Sequence, residues 1–341
     1  MKIMNRAIKK PTIKDVAKKA NVSVATVSRI LNDLGGYSEE TRERVTTIVE
    51  NMGYRRNAIA RNLKTKTSHT IGVLLPKVET TFYVEILNGI EEMSHKNNYS
   101  VFICNTGASS HLMPYYLDVL SERQVDGIIV CSLSPKDMYD KNIMDTKIPC
   151  ILVSTFSPRF TIPYIKVDDF QAAYSATSYL IENGHTKIAM IGGEKEDPIA
   201  GIPRLEGYRQ ALKEYNLNID ESLIKHGGFS FKEGKCAMEA LLNENKKFTA
   251  IFATCDDIAV GAMFIAHKKG ILIPEDLSII GYDNTKVSEM SYPPLTTISQ
   301  PSYEMGQKSV EMLIKTITTN KKSESIIMPF EIIERESVKK L

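Results

Sequence analysis

The sequence predicts two parts of different class: a small all-α headpiece containing a helix-turn-helix, and a larger α/β body of two doubly wound lobes. Three observations carry this. Residues 11–52 repeat apolar positions at helical spacing, whereas from Thr70 short apolar runs alternate with longer amphipathic stretches. That alternation runs through two series, the second starting after Val167-Asp168. Charge is divided in the same place: residues 1–70 hold 15 Lys+Arg against 6 Asp+Glu, and the remainder holds 28 against 35. A basic head on an acidic body is the electrostatic footprint of a polyanion binder joined to something else.

In the head, Thr12 can cap a helix with Asp15 at the capping-box position, and Ile13, Val16, Ala17 and Ala20 share one face. Asn21 breaks that run and Val22 can plug the turn. Ser23 caps a second helix with Val27, Ile30 and Leu31 inward. Its outward face, Val24, Ala25, Thr26, Ser28 and Arg29, is small, polar and cationic, and suits a major groove. The pattern alone also fits an ordinary helical hairpin. Leu34-Gly35-Gly36-Tyr37 makes a turn, and Ser38 caps a third helix with Glu39 and Glu40 in its first turn. Val45, Ile48, Val49 and Met52 form its buried stripe, and Gly53 stops it. The segment from Ala58 to Lys64 has helical character but is too short to be stable alone in water.

In the body, 71–75, 100–104, 127–131 and 150–153 read as buried parallel strands, with amphipathic stretches 82–97, 111–124 and 136–145 between them. Asp168 then caps a helix that Gly184 ends. Strand 187–191, helix 203–215, strand 223–227, helix 230–244, strand 249–253, helix 256–269 and strand 277–281 follow. Two such series suggest two lobes with a cleft at the carboxyl ends of their strands. Tyr292-Pro293-Pro294 and the segment near Met328-Pro329 read as further crossings between lobes. The expected division is therefore a headpiece at 11–56, a hinge and linker at 57–69 and a body at 70–341. Lobe 1 is about 70–166 and 292–328; lobe 2 is about 167–291 and 329–341.

The run from Thr12 to Asn32 resembles the DNA-binding headpiece of the lactose-repressor (LacI/GalR) family. Body phrases resemble it too: Asp126-Gly127-Ile128-Ile129, Gly184-His185-x-Lys187-Ile188, Arg204-Leu205-Glu206-Gly207-Tyr208, Ile280-Gly281-Tyr282-Asp283 and Leu295-Thr296-Thr297-Ile298-x-Gln300. The resemblance covers about residues 11 to 338. It implies a periplasmic-binding-protein-like effector domain and a homodimer on pseudo-palindromic double-stranded operator DNA. The DNA-contact set it completes is Thr12, Val24, Ala25, Thr26, Ser28 and Arg29, with Asn57, Ala60, Leu63 and Lys64 in a hinge helix. Leu63 would wedge into the central base step of the minor groove.

For the cleft, the resemblance points to Phe82, Tyr83, Arg204, Phe229, Asp256, Asp283 and Gln300 as effector-binding residues, with Asp283 across from Arg204. The aromatics can stack on a ring face, Arg204 offers a forked donor, and the aspartates accept from hydroxyls. For each residue a helix cap or core aromatic is the competing reading, and for Asp256 it is strongest. Ser154 and Cys255 depart from the family pattern, where aspartate and asparagine are common. No particular sugar or purine is therefore carried over.

The five cysteines are scattered, without a Cys-x-x-Cys pair, which argues against a disulfide framework or zinc site and for a reducing cytosol. No secretory h-region and no membrane-length apolar run occur, so a cytoplasmic protein is expected. No phosphate loop, His-Glu-x-x-His or Gly-x-Ser-x-Gly elbow is present. The expectation is no enzyme, no cofactor and no metal. The leading reading is a repressor of carbohydrate-utilisation genes switched by a small ligand, a sugar or sugar derivative. A phosphocarrier protein is a further candidate partner. No leucine-heptad extension favours a tetramer. The alternatives are a sugar-binding transport or chemosensory protein, and an architectural DNA binder without effector.

Overall fold

A computed structural model describes residues 11–54, 67–76, 81–107, 109–132, 139–244 and 246–341. The chain divides into two compact units, Met1–Ser68 and His69–Leu341.

The first unit holds α1 (Ile13–Ala20), α2 (Val24–Leu31) and α3 (Glu39–Met52). Local chemistry sets each boundary. Thr12 and Asp15 close a capping box, Ser23 accepts from the Thr26 amide, and Ser38 accepts from the Thr41 amide. Asn21 and Gly53 end α1 and α3 in the left-handed region. Val16, Ala17, Ala20, Val27, Ile30 and Val45 form the core, with Val22 packed against it from the turn. So small a core leaves the caps, at about 1 kcal/mol each, a large share of its stability.

The second unit contains two six-stranded sheets. The first has the order β11-β5-β4-β3-β1-β2, all parallel: β1 (Thr70–Leu75), β2 (Ser100–Asn105), β3 (Gly127–Cys131), β4 (Cys150–Val153), β5 (Tyr164–Val167) and β11 (Ile326–Met328). The second has the order β12-β10-β9-β8-β6-β7: β6 (Ile188–Ile191), β7 (Ile224–Lys225), β8 (Ala250–Ala253), β9 (Ser278–Asp283), β10 (Thr296–Ser299) and β12 (Glu331–Ile333). There only the β10–β12 pair is antiparallel. Central strands such as β3 and β8 are buried along their whole length, as parallel strands covered on both faces must be.

Helices α4 (Thr81–Lys96), α5 (Met113–Glu122), α6 (Tyr139–Asp145) and α12 (Ser302–Thr319) belong to the first lobe. The second lobe has α7 (Asp169–Glu182), α8 (Gly201–Glu214), α9 (Phe231–Asn243), α10 (Asp256–Lys268) and α11 (Lys286–Met290). Gly89 and Gly306 let α4 and α12 cross closely. A Cβ on Gly89 would stand 2.0 Å from the Tyr303 carbonyl oxygen, and one on Gly306 2.2 Å from that of Ile86.

Two features differ from the sequence reading. A return to the first lobe at residue 292 was expected, but β10 pairs with β9 in the second sheet, so that crossing follows Ser299. Thr296 and Thr297 have the hydroxyl partners that bury them there, which hydropathy alone does not reveal. Second, β5 and α12 carried no separate prediction. Mixed polarity at Tyr164-Ile165-Lys166-Val167 masks the strand.

Candidate functional site

On α2 the structure exposes Val24, Ala25 and Arg29, with Thr26 and Ser28 half-buried beside them. The Ser23 and Thr26 hydroxyls lie 2.8 Å apart, so both belong to the cap. Arg29 is less free than a base-reading arginine would be. Its Nε donates to the Gly35 carbonyl at 3.0 Å, which ties the end of α2 to the following turn. Gly36 follows at φ +76°, a conformation that favours glycine, and the Arg29 guanidinium lies over it, with Nη2 2.9 Å from where a Cβ would stand. Asn57, Ala60, Leu63 and Lys64 lie outside the described residues.

In the second unit, the segments after parallel strands converge at their carboxyl ends, where an open α/β sheet places ligands. The first lobe brings Phe82 and Tyr83, the first turn of α4 beyond β1; their rings meet edge-on at 5.4 Å. Burial pushes the Tyr83 phenol well above its ordinary value, against a hydrogen bond with Ser132 at the end of β3. The charges of Asp283 and Asp197, both in the second lobe, push the same way.

The second lobe brings Arg204, Phe229, Asp283 and Gln300. Arg204 is buried, with its guanidinium carbon 3.7 Å from the Tyr282 ring centroid and 5.9 Å from that of Phe229. Its Nε donates to Asp169 Oδ1 at 2.9 Å and its Nη1 to the Thr254 carbonyl. Asp283 was expected across from Arg204, within a lobe division that put both in lobe 2. Both belong to the second lobe, on α8 and β9, and the opposite wall is aromatic. Asp283 ends β9 at φ 114° and accepts from Gln300 Nε2 at 2.7 Å. Burial raises the Asp283 carboxyl well above the ordinary range; Arg204 opposes this and the Asp256 charge adds to it.

Asp256 is fully buried and occupied by its own chain. Oδ2 accepts from the Thr285 amide at 2.7 Å and hydroxyl at 3.0 Å, and Oδ1 from the Thr297 hydroxyl at 2.6 Å. Burial pushes it up to about 7 against those three bonds. This geometry is that of a brace between α10, α11 and β10. Cys255 lies beside it, its Sγ donating to the Phe229 carbonyl at 3.4 Å.

Sequence reasoning missed Asp169. The double acid Asp168-Asp169 was the available signal: Asp168 caps α7, accepting from the Phe170 and Gln171 amides, so Asp169 is free for another partner. Two buried polar atoms at the cleft, Gln300 Oε1 and Thr254 Oγ1, have no hydrogen-bond partner in the protein. An unpaired buried acceptor is costly, and a ligand hydroxyl would satisfy it. Among the described residues no group of His, Cys, Asp and Glu could hold a metal ion. No described helix is long and apolar enough to cross a membrane.

The family model for bacterial regulatory proteins of the lacI family matches residues 12–57. That for periplasmic binding proteins and the sugar binding domain of the LacI family matches residues 68–336. The chain belongs to the LacI family. It is similar to the HTH-type transcriptional regulator RegA of Clostridium saccharobutylicum, at 36% identity over 96% of this chain and 98% of that protein. Among solved structures it is similar to the Lac repressor dimer bound to operator and the anti-inducer ONPF. The TM-score is 0.86 at 26% identity, over 97% of this chain and 100% of that one. It is also similar to the regulator CelR in complex with cellobiose, with a TM-score of 0.74 at 28% identity, over 96% and 99% of the two chains. This LacI-family chain is a DNA-binding transcriptional regulator with an effector-binding domain.

Proposed function

We infer that the chain is a repressor of carbohydrate-utilisation genes that binds a pseudo-palindromic operator as a homodimer. A sugar or sugar derivative in the cleft changes its operator affinity. The observation that carries the reading is the pairing, in one chain, of a capped helix-turn-helix with a two-lobed body in which Arg204, Asp283 and Gln300, the last with an unpaired buried acceptor, gather beyond the strands of the second sheet, and Phe82 and Tyr83 follow β1 of the first. Aromatic rings from one lobe, with acceptors and one forked donor from the other, suit a ring that carries hydroxyls. The complex of the relative CelR with cellobiose supports the ligand class.

In this reading Thr12, Val24, Ala25, Thr26 and Ser28 meet DNA, and Arg29 both braces α2 and adds charge. Asn57, Ala60, Leu63 and Lys64 are assigned to the minor groove. Phe82, Tyr83, Arg204, Phe229, Asp283 and Gln300 meet the effector, while Asp256 supports the wall behind them. Cleft occupancy acts only through different affinities for two lobe angles. A phosphocarrier protein is not required by this scheme.

The test selects genomic fragments with the purified chain, then runs mobility-shift titrations with and without a panel of sugars that includes cellobiose and ribose. Sequence-specific retention that at least one sugar alters is expected. Retention of any fragment alike, or sugar binding without DNA retention, would overturn the reading.

A further inference from the structure

Lys166 and Asp169 flank the first crossing between lobes. Lys166 is on β5 of the first sheet, Asp169 opens α7 of the second lobe, and only Val167 and Asp168 separate them. Lys166 Nζ lies 2.9 Å from Asp169 Oδ2, with both side chains almost fully buried. The other oxygen of the same carboxylate accepts from Arg204 Nε, from Arg204 Nη2 at 2.8 Å and from the Tyr282 hydroxyl at 3.1 Å. One carboxylate therefore joins a cation on one lobe to the cleft arginine of the other. Burial opposes charge on Asp169, yet Arg204 and Lys166 together hold its carboxyl below the usual range.

We propose that the Lys166–Asp169–Arg204 chain is the positioning element that ties the guanidinium of Arg204 to the lobe angle. This rests on the cleft assignment above. A rotation of one lobe against the other turns the backbone at Val167-Asp168 and so acts on the Nζ–Oδ2 distance directly. Arg204 shares the other oxygen, so a shift of the guanidinium is felt at the crossing. The second crossing has a parallel link, because Gln300, between β10 and α12, donates to Asp283 beside Arg204. Lobes that move as bodies bend at their crossings together. Loosening the first must therefore loosen the second.

The experiment is hydrogen–deuterium exchange on the full chain without DNA or sugar, comparing wild type with Lys166→Met and Lys166→Arg. Failure of the sugar or operator assignment leaves this readout untouched. Lys166→Met removes the ammonium and keeps the stem length. Peptides covering 166–171 and 301–306 should both exchange about tenfold faster, while the β6 and β8 core stays protected, and Lys166→Arg should restore both. A change confined to 166–171, or none, would overturn the coupling. A uniform rise that includes the β6 and β8 core would overturn it too, since the pair would then only hold the fold.

Discussion

Gln300 donates to Asp283 at 2.7 Å from its Nε2 and leaves its Oε1 buried without a protein partner. The two residues leave neighbouring strands, β10 and β9, and Asp283 does so at φ 114°, where a non-glycine residue is strained. Strain and an orphaned acceptor in one place are features a fold retains only when something else is served. Both residues belong to the effector site proposed above, where a ligand hydroxyl would satisfy the unpaired acceptor.

Replacing Gln300 by Leu removes the orphan together with the link to Asp283. Deleting a buried unsatisfied acceptor gains about 1–3 kcal/mol and breaking the bond to Asp283 costs about as much, so the gain and the loss nearly offset. We expect Gln300→Leu to unfold within a few degrees of wild type. The sugar concentration that shifts the operator complex should rise at least roughly tenfold, the equivalent of ~1.4 kcal/mol. Thermal unfolding beside a DNA-release titration measures both; an unchanged sugar response removes Gln300 from the site.

Arg29 separates bracing from reading. An arginine reading a guanine confers about 1–3 kcal/mol of discrimination at one base pair. The bond from Arg29 Nε to the Gly35 carbonyl argues that its guanidinium is engaged within the headpiece. Arg29→Ala should therefore weaken binding to every operator variant by a similar factor and lower headpiece stability. Affinities on a set of single-base operator variants decide it: a loss of preference at one position restores the base-reading role.

Charge gives a third expectation. Residues 1–70 carry 15 basic against 6 acidic side chains, and a dimer presents two such heads. Together they should neutralise on the order of 8 phosphates, for a slope of log K against log[salt] near roughly −7. A slope shallower than about −2 on a selected operator means a single head docks.

How much of this was legible in the sequence depends on the range of the interactions involved. Caps at Thr12, Ser23, Ser38 and Asp168 read correctly because each is decided by residues two or three positions away. Strands such as β3 and β8 read correctly because they are unbroken apolar runs. Residues 100–104, read as buried too, belong to the edge strand β2, where only Cys104 is buried, because position in the sheet is not local. The lobe assignment of β10 did not, because its burial depends on the partners of Thr296 and Thr297: Asp256, some 40 residues earlier, and the Arg335 amide beyond. The cleft showed the same limit. Arg204 and Asp283 were picked by resemblance and fall in one lobe by the division at 167–291, but that Asp169 clamps Arg204 depends on a partner 35 residues away along the chain.

His185 supplies the last expectation, in pH. It follows Gly184 at the end of α7, is fully buried, and has both ring nitrogens engaged. Nε2 lies 3.2 Å from the Lys339 carbonyl, an acceptor, so that nitrogen carries the proton. Nδ1, 2.9 Å from the Thr249 hydroxyl, is then the acceptor of the neutral ring. A second proton on Nδ1 would have to displace that bond inside the core. Burial accordingly pushes the His185 pKa below its ordinary value, with the Lys339 carbonyl opposing and the Lys339 charge adding to the depression. The unfolded chain thus takes up a proton at higher pH than the fold does. Stability from neutral His185 is fully present above about 6.5, the unfolded value, and is lost as pH falls through the folded one. Asp256, raised to about 7 by burial, has the opposite sign: its contribution is present at low pH and lost as pH rises through that value. The wild-type curve mixes the two, so the measurement must be a difference. His185→Gln can keep a donor to Lys339 and cannot titrate. Between about pH 7.5 and 5.5 the wild-type melting temperature should fall toward that of His185→Gln by a few degrees, with the gap largest at the high end. A gap that stays constant across the range would show that His185 does not titrate there, and a gap that widens on acidification would reverse the sign argued here.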